Sequence, residues 1–320
     1  MPNITDTYFS DIYIRPDKRA YIADKRSANG LIEVEFDDFG DFYNALSNGF
    51  DGLNTSYSVE YNNNFFRVER SEGLYGAQFC ARKMPSKIQP FNTLGFPGEL
   101  SKFLYNLANH SGLILWSGPT GQGKTTAISS LLKEYLSIEG GFAYTIEDPT
   151  ELPLDGVYHT LRGGLGVCTQ TKPQNDDWGG ALKSALRSKP RYIMVGEIRT
   201  PDAASEVLRA ATSGHLVLST IHANNITDAI NSVVKYASSA SMSESLAYDL
   251  FSRGMLGVLH QTLSGVTTKR PNISYLFANP DNSKGDQVRG IIKTGKLSLA
   301  TAIETQMTRL SRGMNIFPEI

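Results

Sequence analysis

Between residues 113 and 133 the chain reads Leu113-Ile-Leu-Trp-Ser117, then Gly118-Pro119-Thr120-Gly121-Gln122-Gly123-Lys124-Thr125, then Thr126-Ala-Ile-Ser-Ser-Leu-Leu-Lys133. No other stretch restricts the fold as strongly. The first run is apolar and short enough for a buried strand, the second matches the spacing G-x-x-x-x-G-K-[ST], and the third suits a helix. In that order, the glycines let successive backbone N–H groups point into one concavity at a helix N-terminus, whose positive potential favours anions. Lys124 is then placed to neutralise β- and γ-phosphate oxygens, and the Thr125 hydroxyl to ligate Mg²⁺. The residues from Gly118 to Thr126 are therefore expected to hold the phosphates of a nucleoside triphosphate.

From about residue 98, further apolar runs follow at Ala143-Tyr-Thr-Ile146, Tyr192-Ile-Met-Val195 and Leu216-Val-Leu-Ser-Thr220, with helical stretches between them. Buried strands alternating with helices predict an α/β domain with a mostly parallel sheet. Residues 1 to about 90 differ. Short β-branched and aromatic runs at Asp11-Ile-Tyr-Ile14, Leu31-Ile-Glu-Val-Glu-Phe36 and Phe65-Phe-Arg-Val-Glu69 are separated by turn formers at Ser27-Ala-Asn-Gly30 and Asn62-Asn-Asn64, which predicts a small α+β domain. Pro85, Pro90 and Leu94-Gly-Phe-Pro97 suit a linker, so the expected domains are 1–97 and 98–320.

Composition narrows the partners. A chain of 320 residues that is 40% hydrophobic and 20% charged can bury a substantial core, which excludes general disorder. Its 31 basic and 32 acidic residues leave a net charge of -1, so no direct nucleic-acid partner is expected. Neither an apolar run of membrane-spanning length nor a secretion signal is visible, which predicts a cytoplasmic chain. Lacking a basic amphipathic helix, it should meet a membrane only peripherally, through protein. Cys80 and Cys168 form no CxxC unit, which excludes a disulfide framework and a four-cysteine zinc site; both read as small apolar residues.

Three clusters follow the phosphate loop. Thr145-Ile-Glu-Asp-Pro-Thr-Glu151 puts Glu147, Asp148 and Glu151 at a strand end, where ligands bind in such folds and where one carboxylate can polarise a water. Ile193-Met-Val-Gly-Glu-Ile-Arg199 ends a strand in Glu197, suited to holding Mg²⁺ through water or to orienting the attacking water. In Ser213-Gly-His-Leu-Val-Leu-Ser-Thr-Ile-His-Ala-Asn-Asn225, His215 opens a strand and His222 lies just past its end, where a polar residue can feel the γ-phosphate.

Together, GPTGQGKTT, TIEDPTE, ALRSKPRYIMVGEIRTPDA and TSGHLVLSTIHANN closely resemble, in order and spacing, the Walker A, Asp box, Walker B and His box of the PilT/GspE secretion and type IV pilus ATPases. The resemblance extends upstream through Ser10-Asp-Ile-Tyr-Ile14, Phe66-Arg-Val-Glu-Arg70, Phe79-Cys-Ala-Arg82, Pro85-Ser-Lys-Ile88 and Leu94-Gly95. It implies a RecA-like P-loop ATPase domain with a C-terminal helical region, preceded by a small PAS-like domain. It also implies a homo-hexameric ring that uses ATP and Mg²⁺ and docks on an inner-membrane platform protein at the cytoplasmic face of a bacterial membrane.

Residue by residue, the resemblance makes Lys124 and Thr125 phosphate and Mg²⁺ residues, with Asp148 also on the metal side. Glu147 becomes the general base, with Glu197 the alternative for that role; Glu197 is otherwise the Walker B carboxylate beside Mg²⁺. His222 reports on the γ-phosphate, while Arg67 and Arg82, with Arg70 behind them, are phosphate-facing arginines. Two cysteines, and no added domain ahead of residue 1, point to the shorter retraction-like branch, which shares its architecture with conjugative and type IVB secretion ATPases. That branch's C-terminal AIRNLIRE pattern is matched partially by Gln287-Val-Arg-Gly-Ile-Ile-Lys-Thr294, which keeps Arg289 and Lys293.

The expected function is thus Mg²⁺-dependent ATP hydrolysis by a motor for secretion, conjugation or pilus extension and retraction. The competing readings are a P-loop phosphotransferase acting on a small molecule and a nucleotide-gated regulatory binding protein of a membrane complex.

Overall fold

The computed structural model describes residues 1–23, 30–240, 242–265, 269–281 and 285–317. Two compact units emerge: Met1–Lys87 with Pro149–Pro153, and Ile88–Asp148 with Leu154–Ile320. Residues 88–97, placed before the boundary from their proline content, thus fall in the second unit.

The first unit is α+β. Six strands form one antiparallel sheet in the order Leu31–Val34, Ala20–Ala23, Asp11–Ile14, Gly76–Lys83, Asn64–Gly73, Ser56–Tyr61. Alternation of apolar and polar residues gives this sheet one buried face, and the helix Phe39–Asn48 supplies Phe42 and Leu46 to the same core. There the Phe42 ring meets Phe66 edge-on, with centroids 4.9 Å apart. The expected strand over 31–36 stops at Val34. Asn62 and Asn63 make the expected turn, both with positive φ. Of the turn expected over Ser27-Ala-Asn-Gly30, residues 27–29 lie outside the described residues.

The second unit carries an eight-stranded sheet in the order Arg270–Phe277, Met255–Ser264, Gly112–Ser117, Leu216–Ile221, Tyr192–Val195, Gly141–Ile146, Leu165–Thr171, Gly156–His159. Its six inner strands pair in parallel and only the two edge strands run antiparallel. All four apolar runs seen in the sequence are inner strands. Three of them, Gly112–Ser117, Tyr192–Val195 and Leu216–Ile221, are buried along their whole length, because helices cover both faces of a parallel sheet. Helix Lys124–Ile138 begins earlier and runs longer than the 126–133 stretch suggested, burying Ile128, Leu131, Leu132, Tyr135 and Leu136. Burial pushes the Cys168 thiol up to about 12, in keeping with an inert apolar role.

Parallel strands all end on one edge. The segments leaving Gly112–Ser117, Gly141–Ile146, Tyr192–Val195 and Leu216–Ile221 therefore gather the phosphate loop, Glu147, Glu197 and His222 at the carboxyl end of the sheet.

Candidate active site

The phosphate loop runs from Gly118 to Gly123 and feeds a helix fifteen residues long. That helix has no side-chain cap at Gly123 and no acidic residue in its first turn, so its leading N–H groups are left to face a ligand. At Gly118 the backbone has φ of 147° and passes so close to the Gln261 carbonyl that a Cβ would collide with it. Pro119, Thr120 and Gly121 are exposed at the mouth of the loop, while Lys124 is buried beneath it. Lys124 Nζ donates to the carbonyls of Gly118 at 2.7 Å and Pro119 at 2.9 Å, which keeps the ammonium in the concavity.

His222 joins this centre to the next strand. Its Nε2 lies 2.7 Å from Glu197 Oε1, and its Nδ1 is 3.3 Å from both Lys124 Nζ and the Gly118 carbonyl. A neutral ring can donate through Nε2 and accept Lys124 through Nδ1; a protonated ring donates to Glu197 and Gly118. The other Glu197 oxygen accepts from Arg199 Nε at 2.5 Å. Helix Pro201–Ala211 follows directly, started by Pro201 and by Thr200, whose side chain accepts from Ala203 N, so the short turn bearing Glu197 and Arg199 is fixed at its far end. A cleft of about 610 Å³ opens beside this pair, lined by Arg199, His222, Lys235 and Tyr236 among others.

Glu147 is only 2% exposed. Its carboxylate accepts from Thr145 Oγ1 and from Gln170 Nε2, each at 2.9 Å, and it packs against the backbone at Gly196. The Gln170 oxygen accepts the backbone N–H groups of Leu154 and Asp155, so its NH₂ must face Glu147. Asp148 is exposed. Glu151, the third carboxylate of that cluster, belongs to the Pro149–Pro153 segment grouped with the first unit. His215 sits at the opposite end of its strand from His222, where its ring pairs with the Pro190 carbonyl at 2.7 Å.

The arginines lie in the first unit. Arg67 and Arg82 face each other across adjacent strands, and Arg82 Nε donates to Asp11 Oδ1 at 2.8 Å, which raises the guanidinium pKa further. Arg70 is occupied otherwise: it pairs with Glu72 and stacks 4.2 Å over the Phe50 ring. Arg289 is half-buried in the second unit, donating to the carbonyls of Ser252, Arg253 and Asn279, so its part in the C-terminal motif is to fasten the end of helix Glu244–Gly254.

Mg²⁺ fits the site. Thr125 is half-buried at the helix start, and no protein group among the described residues holds its hydroxyl. Among those residues no cluster of three acidic, His or Cys side chains could cage a metal alone. A cation here would be held by Thr125, Glu197, water and the phosphates themselves, the usual manner for Mg²⁺.

Three residues escaped sequence reasoning: Gln170 behind Glu147, Asp11 behind Arg82, and Gln261 beneath the loop. Only Gln261 had a signal, a polar residue two places past the apolar run Met255-Leu-Gly-Val-Leu259.

Over residues 52–271 the chain matches the family model described as Type II/IV secretion system protein. The chain belongs to that family. Among the relatives of this secretion-system protein, the Protein transport protein HofB homolog of Escherichia coli (strain K12) is 38% identical over 136 residues, which is 42% of this chain and 27% of the relative. A Twitching motility protein of Neisseria gonorrhoeae is 26% identical over 263 residues, covering 79% of this chain and 68% of that protein. The chain therefore spans about a quarter of the HofB homolog's own length. The crystal structure of the pilus retraction motor PilT with bound ADP superposes with a TM-score of 0.72 at 23% identity, covering 97% of this chain and 91% of that one. At that identity the likeness shows the fold alone: a RecA-like α/β domain with a mostly parallel sheet after a small N-terminal β-rich domain. The PilT/GspE family expected from the four ordered motifs is the family found.

Proposed function

We propose that this chain is a Mg²⁺-dependent ATP hydrolase that acts as the motor subunit of a bacterial secretion, conjugation or type IV pilus machine. The observation that carries the reading is the continuous contact from the phosphate loop through Lys124 and His222 to Glu197. A group that touches both the loop lysine and the second-strand carboxylate is placed to sense whether a γ-phosphate is present.

In this reading the N–H groups of the loop and Lys124 bind the triphosphate, with Thr126 in the first helical turn. Thr125 and Glu197, with Asp148 at the outer edge, hold Mg²⁺, which when bound neutralises charge developing on the phosphate oxygens. Glu147, oriented by Thr145 and Gln170, takes a proton from the attacking water. Arg67 and Arg82 are proposed to reach the triphosphate when the first unit closes over it, which would make hydrolysis depend on movement. A homo-hexamer, docking on an inner-membrane platform protein and a cytoplasmic position peripheral to that membrane belong to the same proposal. Among the described residues no helix is long and apolar enough to cross a membrane.

The test is phosphate release with and without Mg²⁺, together with mass by light scattering in the presence of a non-hydrolysable ATP analogue. Mg²⁺-dependent turnover that disappears in Lys124→Ala and Glu147→Gln, with a hexamer in solution, is the expected result. Turnover equal to wild type in both variants would refute the reading.

A further inference from the structure

We propose that Gln261 is a positioning residue for the phosphate loop, and that Trp116 fixes the direction of its amide. Gln261 lies on strand Met255–Ser264, outside all four sequence motifs, and is 2% exposed. Its Oε1 accepts from Trp116 Nε1 at 2.7 Å. An indole nitrogen can only donate, so the amide oxygen must face Trp116 and the NH₂ must face the loop, where it donates to the Gln122 carbonyl at 2.5 Å. Gln122 returns the contact: its Oε1 accepts from Leu263 N at 2.6 Å on the same strand. The middle of the loop is thus tied twice to one strand, and the Gln261 carbonyl presses against Gly118 at the loop's start.

The contacts of Gln261 are with Trp116, the Gln122 carbonyl and the backbone at Gly118 and Gly123, so it acts through the loop. A loop held in its gripping shape before the ligand arrives loses less conformational entropy on binding, so it binds more tightly. The buried amide is also costly to leave half-satisfied, which gives this arrangement a single preferred state. Trp116 carries the contact onward. It is fully buried and meets Phe91 and Phe96 edge-on, at 6.3 and 5.7 Å between centroids, while those two rings stack at 5.0 Å. Phe91 and Phe96 belong to the 88–97 stretch that follows the first unit in sequence. Packing in that stretch therefore bears, through Trp116 and Gln261, on how the loop is held.

The inference rests on nucleotide binding but not on hydrolysis, so it is tested by the Kd of a fluorescent ATP analogue measured beside turnover. In Gln261→Leu, close in size and without polar atoms, Kd and KM should rise about tenfold, with kcat falling less. Gln261→Glu keeps the acceptor for Trp116 but sets a carboxylate against the Gln122 carbonyl, and should bind more weakly still. Trp116→Phe keeps ring packing and frees the amide to turn, so it should show a smaller rise and tests the same point should a Gln261 variant not fold.

In a Trp178→Phe background Trp116 is the sole tryptophan, and its emission should change when the analogue binds. Wild-type Kd in Gln261→Glu or Trp116→Phe, or Trp116 emission indifferent to nucleotide, would overturn the proposal. A wild-type chain that binds the analogue without turnover refutes the ATPase reading and leaves the Kd comparison to decide this one; failure to bind it overturns both.

Discussion

His222 Nε2 sits 2.7 Å from Glu197 Oε1, so two residues 25 positions apart in sequence share one hydrogen bond at the carboxyl edge of the sheet. With 48% of its side chain exposed, His222 is not held there by burial; Lys124, Gly118 and Glu197 hold it. In His222→Ala, Glu197 retains Arg199 as its side-chain partner among the described residues. ATP hydrolysis should fall about a hundredfold, with a smaller change in nucleotide Kd, as measured by phosphate release and by titration with a fluorescent analogue. His222→Gln, which keeps a donor, should retain more activity than His222→Ala.

Two loop glycines separate conformational strain from collision. Gly118 has φ of 147° and no room for a Cβ, whereas Gly121 has φ of 73° with nothing within 4 Å of where a Cβ would stand. Gly118→Ala should destabilise the chain by more than about 3 kcal/mol. Gly121→Ala meets only the left-handed backbone penalty, about 1–2 kcal/mol. Denaturant unfolding of the two variants checks the difference.

Gln170 on strand Leu165–Thr171 orients Glu147. Because its oxygen is taken by two backbone N–H groups, replacement by leucine removes one donor from the carboxylate and leaves those N–H groups unpaired. Gln170→Leu should lower kcat about tenfold with KM for ATP changed less, and it should lower the melting temperature as well. Steady-state kinetics and thermal unfolding on the same sample separate the two effects.

Arg67 and Arg70 of the first unit should differ. Arg67→Ala should reduce kcat by roughly a thousandfold if it serves the transition state as a supplied arginine does in other phosphoryl-transfer enzymes. Arg70→Ala, which loses a Glu72 pair and a stacked Phe50 ring, should affect melting temperature and leave kcat within about threefold, since exposed pairs and cation–π contacts contribute on the order of 1 kcal/mol. Equal losses of kcat in the two variants would contradict the assignment.

His260 supplies a pH dependence. Burial lowers its pKa from the usual 6.5, the charge of Lys124 lowers it further, and Asp228 opposes both; Ser117 Oγ lies 3.2 Å from its Nδ1. The unfolded chain therefore binds a proton more readily than the folded one. The neutral ring's contribution is fully present above the unfolded pKa and is lost as pH falls below about 6.5. Melting temperature should drop between pH 7 and pH 5.5, and drop less in His260→Gln.

Much of this arrangement was legible in the sequence because it is local. Strand, glycine-rich loop and helix are contiguous at 113–138, and a fully buried parallel strand writes itself as an unbroken apolar run, as at Tyr192–Val195. Edge strands such as Gly156–His159 and Arg270–Phe277 left no such trace, because each pairs on one side only and carries exposed and half-buried positions that break the apolar run. The carboxylates and His222 stood out for the same local reason, each at the end of an apolar run. His215 stood out equally but lies at the other end of its strand, against the Pro190 carbonyl, since a strand has two ends and composition does not say which one carries the phosphate loop.

What the sequence determined by itself was the family of chemistry, since the glycine pattern, Lys124 and Thr125 allow few uses other than gripping phosphate. Tertiary structure decided which neighbours hold those groups in place: Gln261 under the loop, Gln170 behind Glu147, Asp11 beside Arg82. Each of these contacts joins residues from 23 to 139 positions apart. An amide or carboxylate can orient a distant group only once folding has brought the two within hydrogen-bond reach, and spacing along the chain carries no record of that distance.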